Sequence, residues 1–223
     1  FLADFDLGAA RTFKGIAEGV ENSNFLLETE TGRYILTVYE KRVRAADLPF
    51  FMGVMGALNA AGFPCPLPVT ARDGNPLRQM KGKPAALVTF LSGMSPRAPT
   101  PAQCRAIGAA LARMHAALAG FAMTRPNDLS LSSWRGLFAG RTGEADALAP
   151  GLASLIAQDL DALEAGWPKP SSLPEGVIHA DLFPDNAFFL GDQVSGFIDF
   201  YFACSDWLAY DIAVCLNAWA FET

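Results

Sequence analysis

VIHADLFPDNAFFLGDQVSGFIDF, residues 177–200, places Asp181, Asn186 and Asp199 on a framework able to gather all three. The apolar pair Val177 and Ile178 enters a polar turn holding His179, Asp181, Asp185 and Asn186. Two apolar runs follow, 187–190 and 197–198, around Gly191, Asp192 and Gln193. Gly-Asp between apolar runs is a hairpin signal. A turn centred between Asp192 and Gln193 puts Asn186 directly opposite Asp199, and opposed residues of an antiparallel pair have Cβ atoms roughly 5 Å apart. An amide oxygen and a carboxylate converging there form a hard, low-charge, all-oxygen site of the kind that suits Mg2+ completed by phosphate and water. Asp181 lies across the turn, within reach of a substrate hydroxyl beside such a metal. This is a phosphoryl-transfer layout, in which one Asp accepts the hydroxyl proton while an Asn and a second Asp hold metal on the nucleotide.

Asp and Asn are common turn and cap residues, so each acid alone reads more readily as structural. The combination H-x-D-x4-N, a hairpin and then I-D-F is the specific signal. A metallohydrolase is the rival chemistry, but only His115 and His179 are available, which leaves little for an imidazole-rich zinc or di-iron site. A net charge of −6 and a pI near 4.9 argue against general nucleic-acid binding, which needs a basic footprint. No apolar run has the length of a membrane span, and Asp199, Asp206 and Asp211 interrupt the most hydrophobic region. No signal or transit peptide pattern is visible. Cys65, Cys104, Cys204 and Cys215 lack paired metal spacing and read as reduced core thiols of a cytoplasmic protein.

Strand-like runs at residues 12–17, 24–29 and 33–39 form a three-stranded meander with a polar loop, 18–23, at its first bend. Such a loop can cover nucleotide phosphates with backbone N–H groups, or it can be an ordinary hairpin loop. Asp47 is placed to cap a helix over 48–61, with Pro49 in its first turn and Gly62 ending it. Phe50, Phe51, Val54, Met55 and Leu58 are its core face. Turns are expected at Asp73-Gly74-Asn75 and near Lys81-Gly82, then an apolar strand over 85–91. Further helices are expected over 101–118, near Trp134, over 148–165 and over 208–221. His115 reads as a core histidine. The last helix has an apolar face and the sequence stops at Thr223 without a cap, so a further C-terminal portion is expected.

HADLFPDN followed by FIDF resembles the catalytic segments of the aminoglycoside phosphotransferase and choline kinase superfamily, relatives of the protein kinases. The resemblance implies an α+β, two-lobe protein-kinase-like fold. Residues 1–91 would form an N-terminal antiparallel-sheet lobe that binds nucleotide, and 92–223 a mainly helical, incomplete C-terminal lobe. It implies ATP and Mg2+ as cofactors, Asp181 as catalytic base, and Asn186 and Asp199 as metal ligands. His179 would brace the catalytic loop and Asp211 would buttress it through backbone hydrogen bonds. Backbone groups from Thr89 to Leu91 would meet adenine, and the loop with Gly19, Asn22 and Ser23 would meet the phosphates.

Within that superfamily, GIAEGVENSNFLLET, YILTVYEKR, DLPFF and HADLFPDNAFFLGDQVSGFIDFYFAC resemble the bacterial homoserine kinases of the choline-kinase-like type. That likeness implies L-homoserine as acceptor, with Asp206 as a partner for its amine or, equally open, a residue of a helix N-terminus. Choline, an aminoglycoside or another hydroxylated amine is the alternative acceptor, and a nucleotide-binding pseudokinase the alternative class. One departure stands out. The third strand carries Thr37 where the superfamily has a phosphate-anchoring Lys or Arg, and the helix over 48–61 has no Glu to pair with one. Lys14, Lys41, Arg42 or the backbone of the 18–23 loop are the available substitutes.

Overall fold

Strands Ala10–Ile16 (β1), Asn22–Thr29 (β2) and Arg33–Tyr39 (β3) form the expected meander. The computed structural model describes residues 1–16, 22–40, 43–169 and 172–221. Two further strands, Leu77–Met80 (β4) and Lys83–Thr89 (β5), complete an antiparallel sheet of order β1-β2-β3-β5-β4. Lys81 and Gly82 both have positive φ, 50° and 78°, which fits a two-residue hairpin turn between β4 and β5. The sheet's two faces follow the period of two along β3 and β5. Leu36, Val38, Ala85 and Leu87 pack with Phe5 and Leu7, whereas Tyr39, Ala86 and Val88 face the first helix. Thr37 shares the parity of Tyr39 and is buried.

That helix, Leu48–Ala60 (α1), has Pro49 in its first turn, and Gly62 follows it with φ +74°. Phe50, Phe51, Val54, Met55 and Leu58 are all buried. Asp47 differs from the expectation. Its backbone is already helical (φ −87°, ψ −18°) and its side chain makes no cap hydrogen bond. The carboxylate is instead drawn away by Arg44 and Arg125.

Helix Pro101–Ala117 (α2) starts with a full capping box, Thr100 and Gln103 bonding each other's backbone. Helix Leu131–Phe138 (α3) lies around Trp134. A short helix that the sequence did not announce, Thr142–Leu148 (α4), precedes Leu152–Gly166 (α5), which is the helix expected over 148–165 with its start set back to follow Gly151, in a left-handed backbone at φ +84°. Strand Glu175–Ile178 (β6) pairs with Cys204–Trp207 (β9), and Ala187–Leu190 (β7) pairs with Gln193–Phe197 (β8). Helix Leu208–Ala220 (α6) follows. Among the described residues no helix is long and apolar enough to cross a membrane. All four cysteines are free, and burial pushes the thiols of Cys65, Cys204 and Cys215 up to about 12.

The sheet and the helical part meet along a short connector after β5. Phe90 N–H donates to the Arg33 carbonyl at 3.1 Å. Ser195 Oγ donates to the Ser92 carbonyl at 2.7 Å, and Met94 exchanges backbone hydrogen bonds with Phe189 at 3.1 and 3.0 Å. Phe197 N–H donates to the Pro64 carbonyl at 3.2 Å. Gly196 makes that approach possible: a Cβ there would lie 2.5 Å from the Pro64 oxygen, and its φ of +152° is one that side chains rarely adopt.

Candidate active site

The β7–β8 hairpin turns at Gly191 and Asp192, with Leu190 paired to Gln193 and an irregularity between Phe188 and Phe189. Ala187 therefore faces Phe197, and Ile198 N–H donates to the Asn186 carbonyl at 3.0 Å. The register differs by one residue from the sequence expectation, because the turn centres one residue earlier and the irregularity only partly restores the offset. Asn186 opposes Ile198, not Asp199. Asp199 sits one step beyond, in a left-handed conformation (φ 60°, ψ 61°) at the start of a short 3-10 turn over Phe200–Phe202.

The loop between β6 and β7 has a second left-handed, non-glycine residue, Ala180 at φ 63°. Such a backbone persists only where its surroundings over-determine it, and here Asp211 does so. Buried on α6, Asp211 accepts from the N–H of His179 (2.9 Å, Oδ2) and of Ala180 (2.9 Å, Oδ1). A third bond joins Asp211 Oδ2 to His115 Nε2 at 2.7 Å. Sequence reading placed His115 in the core without finding this partner, which lies on a helix 96 residues away.

His179 Nε2 lies 2.9 Å from the carbonyl of Ile198, so this nitrogen carries the proton. Its ring packs against Phe197 and Phe200. Burial pushes the imidazole below its ordinary value, against the opposing pull of Asp211 and Asp199. His179 is thus a neutral brace between the loop that carries Asp181 and the residue preceding Asp199.

Asn186 completes the arrangement. Its Nδ2 donates to the backbone carbonyl of Asp181 at 2.8 Å and to the Asp181 carboxylate at 2.9 Å. The amide is thereby oriented, with Oδ1 as its remaining group. Among the described residues, no group of three or more His, Cys, Asp or Glu side chains could hold a metal. The donor set here is an amide oxygen and a carboxylate, which fits Mg2+ held by few protein ligands and by phosphate.

The other anticipated positions lie elsewhere in the fold. Gly19, Lys41 and Arg42 fall outside the described residues. Asn22 and Ser23 begin β2, where Asn22 Oδ1 accepts from Glu40 N–H (3.3 Å) and Ser23 Oγ donates to Glu40 Oε1 (3.1 Å). Lys14 projects from the exposed strand β1. Thr89 N–H and hydroxyl both bond the backbone of Leu67, at 2.9 Å each. Asp206 accepts from Asn127 Nδ2 and from Trp207 N–H, each at 2.7 Å.

An antiparallel-sheet lobe, a mainly helical lobe and this polar centre define a phosphotransferase of the kinase-like fold, and the chain belongs to the phosphotransferase enzyme family (APH), whose model matches residues 12–223. It is 60% identical over 222 residues to the homoserine kinase of Xanthobacter autotrophicus, covering 100% of this chain and 68% of that one. The homoserine kinases of Hyphomonas neptunium and Rhizobium etli are 59% and 58% identical with the same coverage. Among solved structures, a microcompartment-associated aminopropanol kinase superposes with a TM-score of 0.76 at 21% identity, over 96% of this chain and 71% of that one. Amicoumacin kinase hAmiN, solved with AMP-PNP, Ca2+ and Ami, gives 0.72 at 17% identity, over 95% and 66%. At these identities the structural likeness speaks for the fold alone.

Proposed function

We propose that this chain is an ATP-dependent kinase that phosphorylates the hydroxyl of L-homoserine, giving ADP and O-phospho-L-homoserine in threonine biosynthesis, in the cytoplasm. The observation that carries the chemistry is the Asn186 amide bridging the backbone and carboxylate of Asp181, beside the segment that holds Asp199. The acceptor rests on identity near 60% to homoserine kinases across the whole chain.

Asp181 is the base. Its carboxylate orients the hydroxyl and receives the proton as the new O–P bond forms and the bond to the ADP leaving group breaks. No unusual pKa is required, since proton transfer can come late in a loose transition state, and positioning and electrostatics supply most of the rate. Asn186 Oδ1 and Asp199 would hold Mg2+, which when bound neutralises charge on the phosphates. The N–H groups of Thr89 and Phe90 are taken within the fold, so adenine would meet the backbone of Leu91 in this stretch.

ADP release from ATP and Mg2+ over a panel of alcohols tests the reading. Turnover with L-homoserine well above choline, ethanolamine and an aminoglycoside is expected. Turnover of choline but not homoserine would overturn the acceptor, and nucleotide binding without turnover of any alcohol would overturn the kinase.

A further inference from the structure

The face of β3 that meets α1 presents Thr37 and Tyr39, and α1 (LPFFMGVMGALNA) has no charged residue. The coupling between strand and helix is therefore uncharged, and a residue from the catalytic part fills it. The ring of Tyr201 meets Tyr39 edge-on at 5.2 Å and Phe51 of α1 edge-on at 5.7 Å. Its hydroxyl lies 3.0 Å from that of Tyr39. The buried Thr37 hydroxyl is spent within the sheet, its Oγ1 donating to Asn24 Oδ1 at 2.8 Å from the directly opposed position on β2.

Burial above all, with the charge of Asp199 adding to it, pushes the Tyr201 phenol up to about 12 and that of Tyr39 well above its ordinary value. Both stay protonated at neutral pH.

Tyr201 follows Asp199 by two residues, within the same 3-10 turn, and Asp199 holds a left-handed backbone. Such a conformation needs external support. Upstream, the His179 ring bonds the Ile198 carbonyl. Downstream, the 3-10 turn closes through Ala203 N–H to the Phe200 carbonyl at 3.0 Å, and the side chain within it that reaches the sheet is Tyr201. We infer that Tyr201 is a positioning residue: its hydroxyl on Tyr39 and its ring against Tyr39 and Phe51 hold the Asp199 carboxylate in place from the sheet. This rests on the reading of Asp199 as a metal ligand.

The test is AMP-PNP binding by calorimetry with and without Mg2+, which needs no acceptor. Tyr201→Phe keeps the ring and removes the hydroxyl, and Tyr39→Phe removes the same hydrogen bond from the other side. Loss of this buried link should weaken Mg2+-dependent binding by about tenfold in each variant and no further in the double variant, with metal-free binding unchanged. Asp199→Ala separates the two readings. If it abolishes the Mg2+ increment while Tyr201→Phe and Tyr39→Phe retain it in full, the hydroxyl pair has no positioning role. An equal loss of metal-free binding in the two variants would reduce the contact to packing and overturn the inference. If Asp199→Ala keeps the increment, the metal-ligand reading itself fails, and the inference with it.

Discussion

Asn186 grips Asp181 twice, its side-chain amide donating to the carbonyl at 2.8 Å and to the carboxylate at 2.9 Å. The residue proposed to hold metal thus also sets the rotamer of the proposed base. Asn186→Ala should therefore damage both functions together. Turnover should fall by about 100-fold or more, in line with a lost positioning and electrostatic group, and Mg2+-dependent AMP-PNP binding should weaken in the same variant. Steady-state kinetics alongside calorimetry reads both; loss of turnover with unchanged metal dependence would count against the metal role.

Asp181→Asn separates the same two functions. The amide oxygen can still accept from Asn186, so the loop should keep its shape, but no base remains. Turnover should drop by roughly 100- to 10,000-fold while MgATP affinity stays within about twofold. Near-normal turnover would remove Asp181 from its role.

Asp211 is buried and takes three hydrogen bonds, two of them from the backbone that sets Ala180 at positive φ. Asp211→Asn turns an NH2 group toward a donor and leaves at least one buried N–H without its acceptor. A loss of about 2–4 kcal/mol in unfolding free energy is expected, measured by urea titration. Turnover should fall with it, because the loop holding Asp181 hangs from that carboxylate.

Stability should fall on mild acidification. His179 has its folded pKa below the ordinary 6.5, chiefly through burial. As pH drops past 6.5 the unfolded chain takes up this proton before the folded one does. The contribution is therefore complete above that value and is lost below it, at up to about 1.4 kcal/mol per pH unit. Urea titrations from pH 7.5 to 5 should show this slope, and His179→Asn should flatten it. An equal slope in the variant would assign the effect to another group.

Arg125 ties the start of α1 to the end of the 3-10 turn that follows Asp199. It bonds Asp47 at 2.8 Å, Asp128 at 2.7 Å and the Ala203 carbonyl at 3.2 Å, with its guanidinium 5.3 Å from the Phe51 ring. Arg125 and Asp47 are only 13% and 14% exposed. Burial alone would raise the Asp47 carboxyl, yet Arg125 and Arg44 together hold it below its ordinary value. Arg125→Ala should cost about 2 kcal/mol of stability, because it leaves a mostly buried carboxylate with only the exposed Arg44 as partner. Arg125→Lys should recover only part, since an ammonium cannot reproduce the fork. Urea titration of the two variants decides.

The elements with strong local chemistry were legible before any coordinates. The meander, the α1 core face and helix α2 follow from alternation and helical spacing. Where the reading slipped, a non-local or conformational cause is visible. The hairpin register moved because the turn closed at Gly191-Asp192 and the strand irregularity left no pattern in the residue types. Strand β4, Leu77–Met80, was not anticipated, since LRQM offers no clear alternation and gains its order from pairing with β5. The helix expected from 148 begins only at Leu152, after the left-handed Gly151, and the short helix α4 before it was not anticipated. Asp47 and His115 found partners 78 and 96 residues away, separations that no short window carries. The polar triad was legible by type and order, and the resemblance implied the bonds of Asp211 to the loop backbone, while the double bond of Asn186 to Asp181 required the fold.

The connector after β5 has a mechanical consequence. Phe90 is bonded to β3 and Ser92 to the β7–β8 hairpin, while Met94 adds to that hairpin almost as a third strand. Within the connector, Leu91 is the single residue between the two attachments. Any rotation of the sheet against that hairpin would have to turn the φ and ψ of Leu91, and the backbone proposed to meet adenine would then be the one that a bound nucleotide stiffens.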